Sequence, residues 1–232
     1  MKRPYIKKFG IFSGFTIWIV DGTYIRENIN EEFTNFGQHY RFRFIPKHEF
    51  WIDEEYGNEK EEDYYIDHML NENRLMKKGM SYPKALSYAD SVEKAERRKY
   101  EIIEKNRKML KSRREIIKKV HKKLLRYYTK NIKIWLVKGN IVRDLFFIDF
   151  TEGGHDKVYK FIPKNEIWID DAVNPNERDF IILHELHERN LMIIKYDYRK
   201  AHRSASKIEY YCRHYPKEIK KRIKIEILKG KK

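Results

Sequence analysis

Apolar and polar positions fall into short β-type runs through the front of the chain and then switch to helical spacing, and this switch happens twice. Thr16-Ile-Trp-Ile-Val and Lys133-Ile-Trp-Leu-Val are β-branched and aromatic, which predicts strands, and the Asp21-Gly22 and Gly139-Asn140 dipeptides after them read as hairpin turns. Further strands are predicted over 23–34 and 140–151, over 40–45 and 157–162, and at Phe50-Trp-Ile-Asp and Ile167-Trp-Ile-Asp. Behind them Ile181, Ile182, Leu186, Leu191 and Met192 recur at helical spacing. A break near 195–197 precedes a second helix over 198–213, and the same pair is expected at 62–77 and 82–97. Each unit is thus expected to be a small antiparallel sheet followed by a helical hairpin, an α+β arrangement.

The two patterns share residues as well as periodicity. Trp18/Trp135, Gly22/Gly139, Arg26/Arg143, Phe44-Ile-Pro-Lys/Phe161-Ile-Pro-Lys and Trp51-Ile-Asp/Trp168-Ile-Asp all stand 117 positions apart. From His68/His184 through Glu72/Glu188, Lys84-Ala/Lys200-Ala and Glu93/Glu209 to Arg97/Arg213 the offset is 116. Such spacing predicts a tandem duplication spanning 17–97 and 134–213. Between the copies Ile103, Leu110, Ile117 and Leu124 recur every seven residues, which predicts one long basic helix. The expected division is a first repeat at 1–98, a linker helix at 99–130, a second repeat at 131–216 and a basic tail at 217–232.

Charge and composition narrow the possible partners. Of the net +16, the segment 94–130 carries sixteen Lys/Arg against four Glu, and 217–232 carries eight against two. The basic charge therefore lies between and behind the repeats, as a nucleic-acid contact or an oligomerising helix would have it. The single cysteine, Cys212, excludes an internal disulfide framework and suggests a reducing, cytoplasmic compartment. No apolar run reaches the roughly 18–20 residues a bilayer requires, so no membrane partner is expected.

The residues that carry chemistry lie in the second copy, in His184-Glu-Leu-His-Glu188. Positions i and i+4 share a helical face, so His184 and Glu188 converge, with Glu185 beside them. Imidazole and carboxylate both ligate Zn²⁺, and a neighbouring Glu can take a proton from water there. His202 is the expected third ligand: with a turn near 195, Glu188 lies seven residues before it and His202 seven after, level in an antiparallel hairpin. Alone, the motif reads more readily as a surface salt bridge. The first copy changes that balance, because it keeps His68 and Glu72 but has Met69 for Glu185 and Leu86 for His202. Two polar groups far apart in sequence have become apolar together, as a site lost from one copy would leave them. Other readings stay open: His187 (Asn71 in the first copy) as ligand or surface residue, Glu209 as fourth ligand or salt bridge, and Arg189 as substrate contact or solvated charge. Asp53/Asp170 and Trp51/Trp168 are expected to be turn and core residues, the Gly153-Gly154-His155 turn has no phosphate-loop context, and no Ser/His/Asp pattern stands out.

The run Phe161-Ile-Pro-Lys-x-Glu-Ile-Trp-Ile-Asp170, then His184–Met192, then Tyr198-x-x-Ala-His202-x-x-Ala-Ser resembles small archaeal and phage proteins similar to zincin-type metallopeptidases. The resemblance covers nearly all of the second copy and, more faintly, the first. In zincins, His-Glu-x-x-His provides two ligands and a general base, which the resemblance carries onto His184 and Glu185. Where the second His of that motif stands, this chain has Glu188. The expectation is a metal-dependent, peptidase-like hydrolase with zinc or another divalent transition metal on His184, Glu188 and His202, Glu185 as base, and a peptide or protein substrate. The alternative is a nucleic-acid-binding or assembly protein working through 94–130 and 217–232, with the metal unit structural.

Overall fold

A computed structural model describes residues 4–57, 61–99, 113–125 and 132–229. The chain divides into two compact units, Met1–Met109 and Leu110–Lys232, and its class is mixed α+β. In the first unit β1 (Tyr5–Phe12), β2 (Phe15–Val20), α1 (Gly22–Asn28), β3 (Phe36–Gln38) and β4 (Glu49–Asp53) precede the helices α2 (Glu62–Lys77) and α3 (Tyr82–Lys99). The second unit opens with α4 (Arg113–Val120) and β5 (His121–Leu124), followed by β6 (Lys133–Val137), α5 (Gly139–Leu145), β7 (Gly153–His155) and β8 (Glu166–Asp170). It closes with α6 (Arg178–Ile193), α7 (Tyr198–His214) and α8 (Ile219–Lys229). The sheet orders are β1-β2-β4-β3 and β5-β6-β8-β7.

Neither sheet is purely antiparallel, which corrects the expectation. The central pairs β2/β4 and β6/β8 run parallel, with Trp18 opposite Trp51 and Trp135 opposite Trp168. Parallel neighbours require a crossover. It is supplied by α1 and α5, which occupy much of the predicted second strand. Asp-Gly serves helix starts as well as hairpins: the Asp21 carboxylate accepts the Tyr24 N–H at 2.8 Å and caps α1. At α5 the Asp171 carboxylate accepts the Gly139 N–H at 3.2 Å. The segments 40–45 and 157–162 form turns and not strands. The hairpin falls elsewhere, between β1 and β2, where Ser13 and Gly14 both take positive φ.

The single long helix is also corrected at its described end, while 100–112 and 126–131 lie outside the described residues. Residues 121–124 form the edge strand β5 of the second sheet. His121 accounts for the break in helix: its ring stacks on Trp135 at 3.9 Å and bonds the Glu166 carboxylate at 3.0 Å. In the first sheet Tyr5 makes the equivalent bond to Glu49 at 2.9 Å. Residues 219–229 are likewise no loose tail. Helix α8 buries Ile219, Ile223 and Ile227 in the core with Ile181, Ile182 and Leu186.

Two arrangements fix the helices to the sheets. Arg26 and Arg143, each fully buried, reach from α1 and α5 to Asp53 and Asp170 at the ends of β4 and β8, both at 2.6 Å. Arg143 also donates to the Phe150 carbonyl at 3.0 Å. Gly22 and Gly139 lie so close to these carboxylates that a Cβ would overlap Asp53 or Asp170. In the hairpins, Ala85, Ala89, Ala201 and Ala205 are wholly buried, so α3 and α7 approach α2 and α6 closely.

Removing one member of a buried pair leaves an uncompensated charge, worth about 3–5 kcal/mol. Asp170→Asn should therefore lower the free energy of denaturant unfolding by about that amount, whereas Asp171→Asn, which removes the partner of the half-exposed Lys122, should cost less than about 1 kcal/mol. An Asp170→Asn protein as stable as wild type would show that the pair contributes nothing.

Candidate metal centre

Helix α6 places His184, Glu185 and Glu188 toward the sheet and α7, and α7 returns antiparallel after the break at 194–197. The level pairing inferred from the turn is observed: His202 Nδ1 lies 2.9 Å from Glu188 Oε2 and 3.1 Å from His184 Nε2. The third edge, His184 Nε2 to Glu188 Oε2, is 3.7 Å. Ligand atoms held about 2.0–2.1 Å from a tetrahedral ion stand roughly 3.3 Å apart, so this triangle has the right size for one divalent cation. Glu188 is buried and His202 half-buried, which leaves one side of the triangle open to solvent.

The ring protons are placed by outer partners. The Glu209 carboxylate lies 2.8 Å from His184 Nδ1 and accepts its proton, so that Nε2 faces the centre and offers its lone pair once it has lost its own proton. Glu209 is in turn held by Arg213, which also bonds Glu177 at 2.7 Å. A carboxylate behind a histidine raises the basicity of the opposite nitrogen and fixes the ring. Burial opposes ionisation of Glu209, but His184 and Arg213 outweigh it and hold its pKa near 2. Burial likewise disfavours a charged His184, yet Glu188 and Glu209 raise its pKa well above the ordinary value. An apo centre therefore carries a proton that a metal ion must displace.

Glu185 is buried beside Glu188. Burial pushes its pKa up to about 7, with His155 opposing and Glu188 reinforcing the rise. Gly153 in β7 lies against this helix face, where a Cβ would press on Ile181 at 3.0 Å and on Glu185 Cγ at 3.3 Å. The first unit has Phe36 at the matching position, and its ring lies against Tyr65 and His68.

A second group of possible donors comprises His155, Glu185 and Glu188. His155 is not singled out by the motif; the matching position of the first unit, 117 residues earlier, is Gln38. Its role is decided by hydrogen bonding. The Lys157 backbone N–H donates to His155 Nδ1 at 3.1 Å, so the ring proton sits on Nε2 and donates to Glu188 Oε1 at 3.0 Å. Gln38 reproduces both bonds: its amide donates to Glu72 at 2.6 Å and its carbonyl accepts the Tyr40 N–H at 2.7 Å. In this arrangement His155 acts as a positioning donor for the Glu188 carboxylate. At Glu185/Met69 and His202/Leu86, by contrast, a polar group stands in the second unit where the first has an apolar one.

The remaining candidates lie elsewhere. His187 faces away, bonding Glu226 of α8 at 3.0 Å and Ser204 at 3.0 Å. Arg189 is bound to Asp156 at 2.6 Å and to Asn165, so it braces the turn after β7. In the first unit His68 sits 3.0 Å from Glu93 and 3.8 Å from Glu72. Burial alone would strip its proton, but the two carboxylates prevail and raise its pKa to about 10. The imidazolium there supplies the positive charge among these carboxylates.

Comparison with known proteins leaves this geometry as the main guide, since no family model, no curated protein and no solved structure matches the chain.

Two outcomes follow. His155→Gln should retain metal affinity within about tenfold, whereas His155→Leu, which strips Glu188 of a donor, should weaken it by about 10–100-fold in a competitive chelator titration. Equal losses in both variants would show that the imidazole itself is required. The pKa of His68 is raised on folding, so its stabilisation is complete below pH 6.5 and is lost as pH climbs through about 10. Unfolding free energies between pH 6 and 10 should therefore fall more steeply for wild type than for His68→Gln, and parallel curves would refute the assignment.

Proposed function

We propose that the second unit is a metal-dependent hydrolase centre of zincin-like type, and that the first unit is a duplicated copy that has lost the site. The observation that carries this reading is the convergence of His184 Nε2, Glu188 Oε2 and His202 Nδ1 within 3.7 Å of one another, backed by a carboxylate on the far nitrogen of His184. Two imidazoles and one carboxylate form a donor set that suits zinc, and other divalent transition metals after it. A cation held there supplies a Lewis acid and makes water a nucleophile at neutral pH. Glu185 is the chain's own base: it is buried, adjacent to the centre, and protonated or ionised near neutrality. Glu188 is kept ionised by its histidines, and His155 fixes its orientation. The duplication rests on the matched residues and on the equivalent sheet orders and buried Arg–Asp pairs. A peptide bond is the substrate that the resemblance implies.

Purified protein should contain about one zinc per chain by elemental analysis. Importing the first unit's residues separates the roles. His202→Leu should lower zinc affinity at least about a hundredfold. Glu185→Met should keep the metal but reduce cleavage of unstructured peptides by about 10²–10⁴. Substoichiometric metal in wild type, or zinc affinity unchanged in His202→Leu, would remove this reading.

A further inference from the structure

The outer face of α7 points away from the metal centre and is both basic and aromatic. Arg199, Arg203, Lys207, Tyr210 and His214 follow one another at i, i+4, i+8, i+11 and i+15, so they form one stripe along the helix, and all are exposed. Tyr211 and Tyr215 flank its end, 42% and 58% exposed, with ring centres 4.8 Å apart. Tyr210 and His214 lie 4.3 Å apart in the same way. The only acidic residue of the helix, Glu209, is buried on the opposite side. At the start of the helix Tyr198, half exposed, stacks on His202 at 5.4 Å and 25°. The stripe therefore runs from a cluster of aromatic faces, past three cations, to the rim of the metal centre.

We propose that this face binds single-stranded nucleic acid. Cations recurring every four residues, about 6 Å along a helix, track a chain of phosphates. Exposed tyrosine rings offer stacking surfaces that only unpaired bases can use, and such stacking is indifferent to sequence. A membrane surface is a poor match, because the stripe contains no aliphatic side chain to enter lipid. An acidic protein would use the cations but leave the rings idle. The site shares only Arg222, whose guanidinium lies 5.6 Å from the Tyr211 ring, with the basic segments at 94–130 and 217–232, and it stands on its own residues whether or not the centre holds zinc.

The test uses the full chain and a fluorescein-labelled oligothymidylate of twenty nucleotides, titrated at several salt concentrations. Arg199, Arg203 and Lys207 are replaced together by alanine, all on the surface, and Tyr210 and Tyr211 by alanine in a second variant. The triple variant should bind at least tenfold more weakly, with the slope of log affinity against log salt shallower by about 2. The tyrosine variant should lose about tenfold with the slope unchanged, because stacking releases no counterions. Circular dichroism spectra and thermal unfolding midpoints matching wild type show that both variants are folded. Absence of binding by wild type, unaltered affinity in the triple variant, or preference for a duplex of equal length or for phosphatidylserine vesicles would each overturn the proposal.

Discussion

A glutamate buried on the first helix of each hairpin, Glu72 or Glu188, sets the terms for everything around it. A carboxylate removed from water costs several kcal/mol unless its oxygens are bonded, so both units surround it with donors. In one unit the Gln38 amide bonds it at 2.6 Å, with the charged His68 ring 3.8 Å away. In the other the His155 and His202 rings bond it at 3.0 and 2.9 Å, with His184 at 3.7 Å. The same strand position, Gln38 or His155, supplies the bond on the sheet side in both. What differs is how the remaining face is closed, with apolar side chains at Met69 and Leu86 or with polar ones at Glu185 and His202.

The outer supports of this arrangement are alike in the two units. Arg97 bonds Glu61 and Glu93 as Arg213 bonds Glu177 and Glu209, with all six groups buried. Such networks are costly when incomplete. Present in both units, they tie the second helix of each hairpin to the start of the first as well as orienting a histidine.

Much of this was legible in the sequence, for identifiable reasons. Helix period, the level pairing across the turn, and the paired differences Glu185/Met69 and His202/Leu86 depend on local spacing, and they survive folding unchanged. The sheet was misjudged where one dipeptide serves two purposes: Asp21-Gly22 begins a helix because the Asp21 carboxylate caps it, and the parallel central strands follow from that helix. Strand β5 was hidden because its lysines mimic a basic helix while His121 is anchored to Trp135 and Glu166, partners distant in sequence. His155 escaped notice because its importance depends on which nitrogen carries the proton, and only the Lys157 N–H decides that.

The glycine at 153 sets how closely α6 can lie on its sheet. A Cβ there would press on Ile181 at 3.0 Å, on the Trp168 carbonyl at 3.1 Å and on Glu185 Cγ at 3.3 Å. At the matching position of the first unit Phe36 packs its ring on Tyr65 and His68 instead. Bare backbone thus faces the acidic helix face in one unit and an aromatic ring faces the histidine in the other, so any side chain at 153 would have to push α6, and Glu185 with it, away from β7.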